Sequence, residues 1–171
     1  EYYVGGVVPT SLESWQPCFN DDTATVAIAR IKEYFAANPS HTSYSLAIND
    51  LGYEYCETTA KINSVGVPNM SDIYYPWVNK IAEGVLEEYP GKYFGVLAYR
   101  EMYDPPVNED GSPFKLNPQV VPFITDDRLT WTDPDMGSAG KNLTERWLQS
   151  APNLGFYEYL FGTPYNIPRT Y

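Results

Sequence analysis

Three apolar stretches of this chain stop abruptly at acids or amides. Tyr44-Ser45-Leu46-Ala47-Ile48 runs into Asn49-Asp50, Tyr93-Phe94-Gly95-Val96-Leu97-Ala98-Tyr99 into Arg100-Glu101, and Val120-Val121-Pro122-Phe123-Ile124-Thr125 into Asp126-Asp127. Runs this short, rich in branched and aromatic side chains, suit buried strands. Helical patterns separate most of them, and strands alternating with helices build a parallel α/β sheet. In such sheets ligands and catalytic groups collect at the carboxyl ends of the strands, where these acids fall.

The helical patterns have recognisable ends. Asn20, Asp21 or Asp22 can cap a helix running to about Ala37, with Ile28, Ile31 and Phe35 at helical spacing. Ser71-Asp72 opens a second, in which Ile73, Trp77, Ile81 and Val85 recur every four residues and Tyr89-Pro90-Gly91 follows the end. Pro76 must lie in the first turn of that helix or kink it. Asn142-Leu143-Thr144-Glu145 starts a short third helix through Trp147 and Leu148. Strands are expected at 43–49, 92–99, 119–125 and 155–161, with no clear helix before the third. Residues 51–70 form a long loop, 126–140 another polar loop, and 1–19 an irregular start to one α/β domain covering 1–171. The expected fold is a partial (β/α) TIM-barrel-like segment of about four parallel strands. Barrel closure takes eight. Two open edges invite pairing, either with a second copy or with a missing remainder of the barrel.

Charge narrows the partners. Twenty-two acids against 11 Lys and Arg give a net charge of -11, which argues against nucleic acid and against anionic membrane surfaces. A neutral ligand fits more easily. Sixteen Tyr and four Trp offer faces and hydroxyls suited to sugar rings, although the same residues also serve as packing. No stretch approaches a membrane span, and the first residues read as an internal cut or a processed end rather than a signal peptide. Cys18 and Cys56 could form one disulfide. With His41 the only histidine and no Cys/His cluster, neither a zinc site nor a His-based nucleophilic catalyst is expected, and no cofactor is implied. Two sequons, Asn69-Met70-Ser71 and Asn142-Leu143-Thr144, matter only in a glycosylating host.

Several segments carry a resemblance. They are Pro17-Cys18-Phe19-Asn20, the 44–50 strand with its Asn-Asp end, Tyr53-Glu54-Tyr55-Cys56, and Ser71-Asp72-Ile73-Tyr74. The 89–99 segment, with its Tyr-Pro-Gly-Lys-Tyr start, and Asp104-Pro105-Pro106 complete the set. In this order, over about residues 17–125, the chain resembles the DUF4838 family, a domain of uncharacterised bacterial proteins that looks like glycoside hydrolase barrels. The resemblance implies a (β/α)-barrel segment and a carbohydrate-related function; it does not itself establish catalysis. Relatives carry a Cys-rich patch after the Asn-Asp strand, of which only Cys56 stands here, and this departure weighs against a metal-binding role for the patch.

Among the strand-end acids, Asp50 ranks first as a catalytic group, because partial burial one residue past a strand raises a carboxyl pKa toward proton donation. Asn49 beside it could hold a substrate hydroxyl, or both could simply cap the turn. Glu101 ranks second, with Arg100 as its partner or as a clamp for an anionic sugar. Of Asp126 and Asp127, successive extended residues that point opposite ways, one at most enters the site, and Asp127 is taken as the third catalytic candidate. Tyr53, Tyr55, Tyr99, Tyr103 and Trp131 follow the same strand ends and would make stacking platforms. Glycosidases use two carboxylates about 5–10 Å apart. The residues therefore fit a secreted or surface-associated glycoside hydrolase-like protein, a non-catalytic glycan-binding module, or a self-assembling protein whose sheet edges are completed by neighbours.

Overall fold

The computed structural model describes residue 6 and residues 16–49 and 55–158, with residue 129 described by its backbone alone. Helix α1 (Asp21–Ala37) starts at a reciprocal cap. Asn20 Oδ1 accepts from the Thr23 backbone N–H at 3.0 Å, and Thr23 Oγ1 accepts from the Asn20 N–H at 3.3 Å. Asp21 and Asp22 lie in the first turn, where the helix dipole favours negative charge. Its buried face includes Ala24, Ile31 and Phe35.

Helix α2 (Ser71–Leu86) buries Tyr74, Tyr75, Val78, Ile81, Ala82 and Val85; of the four-residue stripe, Ile81 and Val85 are buried, whereas Ile73 and Trp77 are half-buried against the core. Pro76 lies in the second turn rather than the first, and the helix continues through it. The two helices approach closely at Gly84, where an added Cβ would stand 2.6 Å from Ile28 Cδ1.

Four parallel strands pair in chain order: β1 (Ser43–Ser45), β2 (Tyr93–Ala98), β3 (Val120–Ile124) and β4 (Gly155–Phe156). Tyr44 lies opposite Phe94, Ala98 opposite Ile124, and Ile124 opposite Phe156. Helix α2 crosses from β1 to β2 and α3 (Pro134–Ser150) from β3 to β4, as a partial β/α barrel-like fold requires. The two faces of the sheet differ. Phe94, Val96 and Ala98 of β2, with Val120 and Ile124 of β3, are buried in the core with the helices. On the other face Ser45, Tyr93, Gly95, Leu97, Val121 and Phe123 line an open groove of about 360 Å³. Tyr93 and Phe123 there are 47% and 38% exposed.

Three element boundaries differ from expectation. Paired strand β1 stops at Ser45, although the Leu46 N–H still donates to Gly95 O at 2.9 Å. Beyond it the buried Gln16 carboxamide stands in for a neighbouring strand, donating to Asn49 O at 2.8 Å and accepting from Asn49 N–H at 3.2 Å. Helix α3 begins at Pro134, eight residues before Asn142. Asp133 Oδ1 caps it by accepting from the N–H groups of Asp135 and Met136 at 3.0 and 3.1 Å, and Pro134 takes the first turn. Gly137 and Gly140 make this stretch read as loop, yet both are needed here. A Cβ on Gly137 would meet the Trp131 carbonyl oxygen at 2.7 Å, and one on Gly140 would clash with the Trp131 indole. Paired strand β4 covers only two residues, and 159–161 of the expected last strand lie outside the described residues.

Cys18 and Cys56 are joined in a disulfide that closes a sequence separation of 38 residues. Breaking it with a reductant is expected to lower stability by about 2–4 kcal/mol, read as a shift in the urea midpoint. The two-faced sheet makes a paired prediction. Phe94→Ala empties a core site and is expected to cost about 3–5 kcal/mol. Phe123→Ala on the open face is expected to cost roughly 1 kcal/mol. Equal losses in chemical denaturation would mean that the open groove is filled.

Candidate functional site

The carboxyl end of β2 is built around an unusual turn. Tyr99 is extended, with φ -141° and ψ 140°, and Arg100 then takes φ 49°, a left-handed conformation costing a non-glycine residue about 1 kcal/mol or more. Three hydrogen bonds hold it. Asn63 Nδ2 and the Tyr103 N–H both donate to Arg100 O, at 2.6 and 3.1 Å, and the Met70 N–H donates to Glu101 O at 2.9 Å. The turn carries Glu101 inward until it is only 6% exposed. There the Tyr55 hydroxyl donates to Glu101 Oε2 at 3.3 Å, and Arg100 Nε lies 3.7 Å from Oε1.

Tyr55 in turn is fixed by what flanks it. Cys56 is tied to Cys18, and the Phe19 ring lies 6.0 Å from the Tyr55 ring. Glu57 Oε1 accepts from the Phe19 N–H at 2.6 Å, while its buried Oε2 has no hydrogen-bond partner among the described residues. The disulfide therefore locks the segment before α1 to the loop that supplies Tyr55.

Asp104, 9% exposed, is the junction between loop and helix. Its Oδ2 accepts from the Ser64 N–H at 3.0 Å. Its Oδ1 accepts from Ser64 Oγ and, at 3.0 Å, from Arg146 Nη2 of α3. Asn63 stiffens the same loop, its Oδ1 accepting from the Val65 and Val67 N–H groups at 3.1 and 3.2 Å. The connections after β1 and β2 and helix α3 are thereby drawn to one place.

Between them opens a cleft of about 650 Å³. Ser64, Tyr103, Asp126, Asp135, Asn142 and Arg146 are among its polar lining, and Leu143 is part of its apolar lining. Asp126 Oδ2 accepts from Trp131 Nε1 at 2.9 Å, and Trp131 meets Phe156 edge-on with centroids 6.2 Å apart. Burial, and after it the charges of Asp126 and Asp104, push the Tyr103 phenol up to about 12 against the opposing pull of Arg146. Tyr103 is therefore a hydrogen-bond donor throughout the ordinary pH range.

The structure gathers Glu101, Arg100 and Tyr55 from among the expected site residues. Asn49 has its backbone held by Gln16, and half-buried Tyr99 leads directly into the strained turn. Asp127 opens the turn before α3, its carbonyl accepting from the Thr130 N–H and hydroxyl at 2.9 and 2.7 Å. Asp50 and Tyr53 lie outside the described residues. Tyr103, expected as a stacking platform, lines the cleft; Ser64, Asp104 and Arg146 were not expected as site residues. Asp104 follows the β2 acids closely enough to be suspected, but Arg146 is reached only through α3, whose first half was hidden by its glycines. Among the described residues no three of His, Cys, Asp and Glu come together as a metal site, and no helix is long and apolar enough to cross a membrane.

A family model described as a domain of unknown function, DUF4838, matches residues 6–171. No curated protein and no solved structure matches the chain.

The Tyr103 environment sets an alkaline limit. The folded phenol holds its proton above the ordinary value of 10.0 up to about 12, whereas the unfolded one releases it near the ordinary value. Its contribution is thus fully present below the unfolded value and lost as pH rises through the folded one. Tyr103→Phe is expected to flatten that part of the alkaline stability loss, measured as urea midpoints on either side of the ordinary tyrosine value. An unchanged slope would show that Tyr103 is not held in this way.

Proposed function

We propose that this chain, which belongs to the DUF4838 family, is a carbohydrate-active, glycoside hydrolase-like protein that takes a glycan at the carboxyl rim of its sheet. The observation that carries this reading is Glu101, a buried carboxylate mounted on a strained turn at the end of β2, two residues before Tyr103, which lines a cleft of about 650 Å³ together with hydroxyl, amide and carboxylate groups. Ser64, Tyr103 and Asn142 suit the hydroxyl rim of a sugar, and the Leu143 surface suits its C–H face.

Hydrolysis of a glycosidic bond needs a proton donor and a nucleophile or base. A hydroxyl donor and a guanidinium are the partners an ionised carboxylate takes, so Glu101, facing Tyr55 and Arg100, is assigned as nucleophile or base. Proton donation then falls to another strand-end acid, Asp127 in the first instance. The disulfide supports an extracytoplasmic, secreted or surface location, because such bonds persist in oxidising compartments.

A non-catalytic glycan-binding module is the second reading. It is favoured by the engagement of both Glu101 oxygens within the protein.

A hydrolysis screen over neutral, amino and acidic glycans separates the two. Glu101→Gln is expected to lower turnover by about 10²–10⁴-fold with glycan affinity largely retained. Asp127→Asn and Asp50→Asn, assayed in parallel, identify the second carboxylate. Unchanged turnover in Glu101→Gln removes Glu101 from the chemistry, and binding without hydrolysis by the unaltered chain selects the module.

A further inference from the structure

The charges of this rim are unevenly matched. Each arginine near it is opposed by an acid: Arg100 by Glu101 at 3.7 Å, Arg128 by Glu158, and Arg146 by Asp104 at 3.0 Å. Asp126 and Asp135, which both line the cleft, have no ion-pair partner among the described residues. The cation of the lining, Arg146, is bonded through Nη2 to Asp104, so that the lining carboxylates Asp126 and Asp135 outnumber it.

Asp126 is also oriented. Trp131 Nε1 donates to its Oδ2 at 2.9 Å, and its Oδ1 takes no hydrogen bond from the described residues. A carboxylate fixed at one oxygen and open at the other, on the wall of a cavity, is an acceptor for a charged donor. The remaining polar groups, Ser64, Thr130, Tyr103, Ser138 and Asn142, are uncharged.

We propose that the cleft selects a glycan carrying a free amino sugar, with the sugar's ammonium on Asp126, and that it rejects uronic acids. The inference rests on the carbohydrate reading above and names the substrate class within it. An ammonium gains a charge-assisted hydrogen bond to Asp126 in a partly desolvated cleft. A uronate would place its carboxylate beside Asp126 and Asp135, with the lining cation, Arg146, shared with Asp104, and like charges brought together in an interface oppose binding. The net charge of -11 repels the same ligand at longer range.

Titration calorimetry on the full chain tests this with three probes in slightly acidic buffer: a glucosamine oligomer, its N-acetylated counterpart, and an oligogalacturonide of equal length. The glucosamine oligomer is expected to bind about tenfold more tightly than the N-acetylated one, equivalent to about 1.4 kcal/mol, and the oligogalacturonide most weakly. Asp126→Asn, which keeps an oxygen for the Trp131 N–H, is expected to collapse the ratio between the first two probes. Asp126→Glu, which keeps the charge, is expected to restore it. Added salt is expected to weaken the amine more than the N-acetylated probe. Preference for the oligogalacturonide, or an amine preference that survives Asp126→Asn, overturns the inference and leaves the carbohydrate reading standing. Binding of none of the three overturns both.

Discussion

A parallel strand cannot be reached from its neighbour by a hairpin, so each step along this sheet carries the chain back across one face. Two of the three steps use helices, α2 and α3. The third, from β2 to β3, uses a Pro-rich loop and needs other support. Helix α2 supplies Asn79, whose Oδ1 accepts from the Asn117 N–H at 2.6 Å, and Asp72, whose Oδ1 accepts from the Val107 N–H at 2.8 Å. Helix α3 supplies the Ser150 carbonyl, which accepts from the Leu116 N–H at 2.9 Å. All three crossovers leave their connecting loops at the same rim, which is why the acids collect there.

Where one residue's local pattern decides the outcome, the sequence was readable. The start of α2 at Ser71 and the Asn20 cap of α1 are such cases, as are the positions of β2 and β3. The first half of α3 was not, because Gly137 and Gly140 lower helix propensity for the sake of packing against Trp131, a tertiary contact. The site divides in the same way. Glu101 and Arg100 follow a strand directly and are visible from the chain. Ser64 and Arg146 meet at Asp104 across 40 and 42 residues, a convergence that no local spacing records.

The rim also shows how a protein of strongly negative charge keeps its arginines in place. Arg128 pairs with Glu158 and lies 4.3 Å from the Phe156 ring centroid, so the cation rests between a carboxylate and a π-face. Arg146 and Arg100 are secured by buried acids. The Arg128–Glu158 and Arg146–Asp104 pairs each fasten two separate chain segments together.

Gln16 completes the picture at the opposite end of the sheet order. Among the described residues strand β1 is an edge, and an unpaired edge is a template on which a foreign strand can grow. By occupying both backbone groups of Asn49 with one side chain, Gln16 fills the slot at the carboxyl end of that edge. An incoming strand must either stop short of Asn49 or evict a buried amide. The register available for aggregation or strand exchange at β1 is shortened accordingly, by a single residue that belongs to no strand of the sheet.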